Sequence, residues 1–246
     1  MFEDILTVMW KEYKGLLRSS GSRWKSIAIL VTPIAIFGVI FPIQFRENWL
    51  AGYWSLAVAV VTPMLLIATT IAESFAGERE RHTLETLLAS RLPNRAILLG
   101  KLFASLLFGW GMTLFLLIIS LITVNMFEWG EGFLFYQPAI FWMDLASSLL
   151  MSGLVSSLGI LISLRAPTVQ NAAQTIMLAL FMPLLLLQAM VFLLPNFIPV
   201  DSIKARLAQL DFESIIAIFL IVLVAANIGL FLNALARFRR SKLILS

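Results

Sequence analysis

Cysteine is absent from the 246 residues, and histidine occurs once, at His82. Without cysteine there is neither a disulfide framework nor a thiolate metal site. Charge is scarce too: Asp, Glu, Lys and Arg make up 13% of the chain, against roughly 25% in a soluble domain. No G-x-x-x-x-G-K-[ST] loop occurs. Gly100 and Lys101 are adjacent, but Arg95 stands where the first glycine would have to be, so that cradle for nucleotide phosphates is missing. The opening 26 residues lack a short apolar run followed by a small-residue cleavage site, so no removable signal peptide is expected.

What the chain has in excess is apolar sequence, 60% of its residues against roughly 45–50% in a soluble domain. It comes in blocks of about 18 or more residues, long enough to cross a hydrocarbon core of roughly 30 Å. Six such blocks, at residues 27–45, 53–72, 97–125, 137–164, 172–194 and 214–236, predict an all-α, polytopic membrane protein with six transmembrane helices. The third and fourth exceed what a bilayer needs, so tilt or protrusion is expected. Lys and Arg set the orientation, because cytoplasmic segments retain them. Fifteen of the eighteen fall before the first block, between the second and third or (Lys101) just inside the third, after the fourth, and after the sixth; only Arg46, Lys204 and Arg206 fall on the other side. Both termini are therefore expected in the cytoplasm, and the formal charge of +4 requires no nucleic-acid partner.

Residues 1–26 predict a cytoplasmic amphipathic helix lying in the interface, followed by a membrane domain over 27–246. Ile5, Leu6, Met9, Tyr13, Leu16 and Leu17 follow helical spacing, with Trp10 and Trp24 suited to headgroup depth. Pro33, Pro42, Pro63, Pro183 and several glycines inside the blocks imply a packed bundle, in which neighbouring helices satisfy the freed backbone. Ser148, Ser152, Ser156, Gly159 and Ser163 recur every three or four residues along the fourth block. Such a face serves either close helix packing or a polar lining for a transport path.

The loop over residues 73–96 carries four Glu and four Arg between Glu73 and Arg95. A segment that grips anionic lipid would be polybasic; a balanced mixture suits a protein-docking surface. Leu84, Leu87 and Leu88 fall on one helical face, and Pro93 ends that helix before Asn94, which is expected to cap the next. On the opposite side, Pro195 and Pro199 break the fifth block, and residues 195–213 predict a re-entrant or interfacial segment with Asp201 as an N-cap.

An intramembrane enzyme needs at least two convergent polar groups. His82 lies in the charged loop and Asp144 near the opposite end of the fourth block, with about 30 Å of bilayer between them. No serine has an evident base. No catalytic residue, metal site or bound cofactor is expected. Glu73 and Asp144, with Ser148, Ser152 and Ser156, are the candidates for a substrate path or gate, because ionisable groups near a span are costly and often functional; for Glu73 the alternative is a structural pair with Arg79 or Lys101.

The run GERERHTLETLL over residues 77–88, followed by ILLGK over 97–101, resembles the signature of ABC-2 type permeases, the membrane subunits of bacterial and archaeal ATP-driven exporters. KEYKGLLR over 11–18 is similar to that family's opening helix, and Ser163, Arg165, Ala172, Gln174 and Pro183 fall where such permeases often carry matching residues. The resemblance implies a coupling helix that seats in a groove of a separate ATPase. Its docking residues would be Glu78, Arg79, Glu80, Arg81, Thr83, Leu84, Glu85, Leu87 and Leu88. It also implies a multi-pass protein of the cell membrane, partnered by two ATPase subunits that hold ATP and Mg and by a second permease subunit, identical or similar. Alternatives within the same resemblance are a scaffold subunit of a secretion or motility complex and a haem-exporter-like permease. His82 stands where that family commonly has glycine, and Arg91 where it commonly has proline.

Overall fold

The computed structural model describes residues 1–18, 31–128, 132–193 and 212–237, and every regular element among them is helical. The helices are α1 (Phe2–Arg18), α2 (Val31–Phe45), α3 (Glu47–Ala51), α4 (Trp54–Glu80), α5 (Leu84–Ala89), α6 (Asn94–Phe127), α7 (Pro138–Ser163), α8 (Val169–Leu193) and α9 (Phe212–Arg237). Five of them, α4, α6, α7, α8 and α9, are long and apolar enough to cross a membrane. The predicted first span is seen as the shorter α2, and its residues 27–30 lie outside the described residues. The predicted outer segment 195–213 also lies outside them, apart from Phe212 and Glu213, which open α9.

α4 and α7 form the centre, because small residues on α7 and α6 let α4 approach. A Cβ at Gly159 of α7 would overlap Ile71, and one at Gly109 of α6 would overlap Ile67. Ser148, Ser152, Ser156 and Ser163 are all fully buried along the same α7 face. The small-residue stripe is thus closely packed in this arrangement. α9 is fastened to α7 at Gly153, where Asn227 Nδ2 donates to Leu150 O at 2.8 Å and leaves no room for a Cβ. Replacing Gly159 with leucine is expected to destabilise the bundle by about 1–3 kcal/mol, the usual cost of overpacking. Thermal unfolding of the purified protein in detergent checks this; an unchanged midpoint would mean that α4 and α7 do not interlock there.

Two differences from the sequence reading follow from backbone satisfaction. α4 does not end at Ala72 but runs on to Glu80 through a π-helical turn, Glu73–Gly77. Asn94 is the first helical residue of α6 and no cap, for the extended Pro93 precedes it and no side chain bonds the helix start. Proline suits that boundary, since it pushes the residue before it out of helical conformation.

α1 also differs from a simple surface anchor. Val8 is buried against Gly100 of α6, at a distance that would not admit a side chain there. Phe2, Leu6 and Trp10 are exposed, so the helix has one apolar face on the bundle and another turned away. Leu6 therefore belongs to the free face, while Ile5 and Met9 are half-buried.

Candidate functional site

The charged loop is anchored by backbone groups that the π-helical turn presents. Ser163, the last residue of α7, accepts from Phe75 N at 3.1 Å and Ala76 N at 3.0 Å, and its hydroxyl donates to Ala72 O at 3.1 Å. One buried hydroxyl thus serves three backbone groups that would otherwise sit in an apolar interior. A turn later, Arg79 donates to Leu164 O at 2.7 Å and Ala166 O at 2.8 Å. Those carbonyls follow the end of α7, where a cation also meets the negative end of the helix dipole.

Next to this clasp lies a charged knot. Lys101 of α6 has a side chain only 1% exposed, and its ammonium reaches Glu12 at 2.8 Å, Glu78 at 3.1 Å and Ser74 O at 2.8 Å. It also lies 5.0 Å from the centre of the Phe75 ring, within cation–π range. Lys11 makes a second contact to Glu78 at 2.7 Å. A buried ammonium is tolerated only when opposing charges and acceptors surround it. Here they come from α1 and α4 and meet a lysine of α6, so the pairing holds the three helices together. Glu80 adds α8, its carboxylate accepting from Val169 N at 3.2 Å.

The nine predicted docking residues therefore divide. Glu78 and Arg79 turn inward, and Glu80 caps α8 although it is exposed. Leu84, counted among the docking residues, is 6% exposed and packs in the chain's own core; Leu87 is half-buried. The side chain of Leu88 lies outside the described residues. Arg81, Thr83 and Glu85 face outward, with His82 and Thr86 among them. His82 has φ of 56°, a left-handed conformation that favours glycine, so the turn between α4 and α5 is kept by histidine at a cost of about 1–2 kcal/mol.

Glu73 pairs with Arg81 at 3.8 Å, and not with Arg79 or Lys101, the structural partners considered for it. Both partners are exposed enough that the pair is worth no more than ~1 kcal/mol. The other path candidates lie apart from the loop, inside α7. Asp144, Ser148, Ser152 and Ser156 are fully buried, with Ser156 Oγ accepting from Ser105 at 3.2 Å and Ser148 bonding Leu145 O at 3.1 Å. A cavity of about 320 Å³ at the far end of α6 is lined by Ile122, Asn125, Met126, Gly132 and Phe133, none of which is a path candidate.

Sequence reading missed the knot and the clasp. Lys101 was counted with the loop cations, yet it sits within α6 among apolar neighbours, and that setting was the available signal. Glu12 gave none, for nothing in its own segment marks it as Lys101's partner.

A bundle of apolar helices, five of them long enough to cross a membrane, with a charged loop fixed at its root and bare at its tip, defines a multi-pass membrane protein. The chain belongs to the ABC-2 type transporter family, whose model matches residues 3–210. It is a membrane transport permease of that type. It is similar to the ABC transporter permease protein NatB of Bacillus subtilis (strain 168), 24% identical over 155 residues, covering 58% of this chain and 40% of that protein. The chain thus matches less than half the length of that relative. No solved structure matches it.

Proposed function

We propose that this permease exports its substrate on ATP hydrolysed by a separate ABC ATPase, in an assembly of two ATPase subunits and two permease subunits, identical or similar, in the cell membrane. α5 is the docking element. The carrying observation is the division of the loop: its root is bonded to α1, α6, α7 and α8, while Arg81, Thr83 and Glu85 stay uncovered. A push on α5 reaches four helices through bonds to Lys101, Ser163, Leu164, Ala166 and Val169, without chemistry on the substrate.

Six spans with both termini cytoplasmic complete the reading. The apolar block at residues 27–45, of which α2 is the described part, has close to the roughly 20 residues that a crossing segment needs. The Lys and Arg bias puts the knot and α5 on the cytoplasmic side, where an ATPase finds ATP.

Reversing both outward charges, with Arg81→Glu and Glu85→Arg, is expected to leave the permease folded in the membrane and to cut its co-purification with the ATPase at least ten-fold. Leu84 is spared because its replacement would test the core and not the docking face. Undiminished capture of the ATPase by the double variant would refute α5 as the docking element. If the ATPase is captured but never stimulated by the reconstituted permease, the chain is a scaffold.

A further inference from the structure

The coupling arrangement makes no use of the polar groups at the other end of the bundle. Asp144, in the second turn of α7, is 0% exposed, and neither of its carboxyl oxygens accepts a hydrogen bond. Ser55 of α4 lies beside it, yet Ser55 Oγ is itself buried without a partner of normal geometry. Tyr136 is the next polar neighbour, and its hydroxyl is committed to Ser120 Oγ at 2.7 Å and Leu117 O at 3.3 Å. Trp49 of α3, beside Tyr136, brings an indole N–H that is also buried and unpaired.

Unpaired buried acceptors and donors in one cluster require an explanation, since such groups nearly always find partners. A charge on Asp144 would be unfavourable here, because among the described residues no basic side chain of α3, α4, α6 or residues 132–137 pairs with it. Arg46, at the rim, pairs with Glu128 at 3.5 Å. Lys101 is held in the knot, about 28 Å from Ser120 along α6 at the usual rise per residue. Among the described residues, Glu47 and Glu128, the acids near that rim, would add repulsion, and Tyr136 is the titratable side chain beside the carboxyl. A neutral carboxyl meets none of these objections.

We propose that Asp144 is a proton-binding site, whose carboxyl holds a proton in this closed packing and gives it up when water enters the polar end of the bundle. Uptake forms one O–H bond on a carboxyl oxygen with a proton from that water, and release returns the proton there. No other reactant takes part. A resident metal cation fits less well, because Trp49 offers a donor and the Tyr136 oxygen is already engaged. The assignment is independent of the ATPase partnership, so failure of either leaves the other standing.

Infrared spectroscopy on the full chain in lipid nanodiscs at neutral pH tests it directly. Wild type is expected to show the carbonyl stretch of a neutral carboxyl, shifted by deuterium exchange and lost in Asp144→Asn. If that variant fails to fold, dicyclohexylcarbodiimide, which modifies neutral carboxyls in apolar surroundings, is applied to wild type, and an adduct on Asp144 is read by peptide mass. No such band and no such adduct would overturn the proposal. So would protection from the reagent by sodium or potassium but not choline, which would mean that a bound cation occupies the carboxyl.

Discussion

Lys101→Met lowers the stability of the permease by about 3 kcal/mol, read as the shift in thermal or denaturant unfolding in detergent. Methionine keeps nearly the same length and apolar stem, so what is removed is the ammonium and its bonds to Glu12, Glu78 and Ser74 O. Breaking a buried pair by removing one partner costs about 3–5 kcal/mol, because the other charge is left without compensation. The low end applies here. Glu12 and Glu78 are 22% and 13% exposed, and Glu78 retains Lys11, so water and a second cation recover part of the loss. Lys101→Met combined with Glu78→Gln is expected to cost less than the sum of the two single changes, since the double variant buries neither charge. Full additivity would show that the two groups do not interact.

The same change should loosen α1. Val8 against Gly100 and Glu12 against Lys101 are contacts that hold this helix to α6. With the ammonium gone, cleavage by protease within residues 1–18 should become faster while α6 and α7 stay intact. Folding and the proposed function are connected at this point, because the knot that stabilises α1 also holds the root of the charged loop.

Reading the sequence recovered what apolar length and proline placement determine. The block at 137–164 became α7, whose start is fixed by Pro138 at its first turn, and the run of Ser and Gly at helical spacing became its packing face. The end of α4 was misplaced because Glu73 interrupts the apolar run, whereas the chain keeps its helix for as long as the backbone is satisfied, and Ser163 supplies that from another helix. Periodicity puts Leu84 on the apolar face of its helix without saying what covers that face; the chain's own core covers it. Charge balance in the loop was visible, but which charges are spent internally depends on Lys101 and the end of α7, which are distant in sequence. His82 shows the opposite case: the departure from glycine was legible, and the left-handed turn persists with histidine in it.

Ser163→Ala is the second large effect, and it separates docking from coupling. The change removes one oxygen, yet it takes a hydrogen-bond partner from Phe75 N, Ala76 N and Ala72 O together. A buried polar group left unpaired costs about 1–3 kcal/mol, and the π-helical turn would relax toward a tighter helix to recover some of it. That relaxation rotates Glu78, Arg79 and Glu80 relative to α6, α7 and α8. Arg79 would then meet Leu164 O and Ala166 O at poorer geometry, and the second tie to α7 weakens with the first. The outward residues Arg81 and Glu85 are unchanged, so capture of the ATPase should persist. Stimulation of ATP hydrolysis by the reconstituted permease should fall several-fold, because motion of α5 no longer works against a fixed α7. Ser163→Thr keeps the hydroxyl and should retain most of the stimulation. Equal losses in the alanine and threonine variants would mean that the site is sensitive only to shape, and the hydroxyl would then have no part in passing force from α5 to α7.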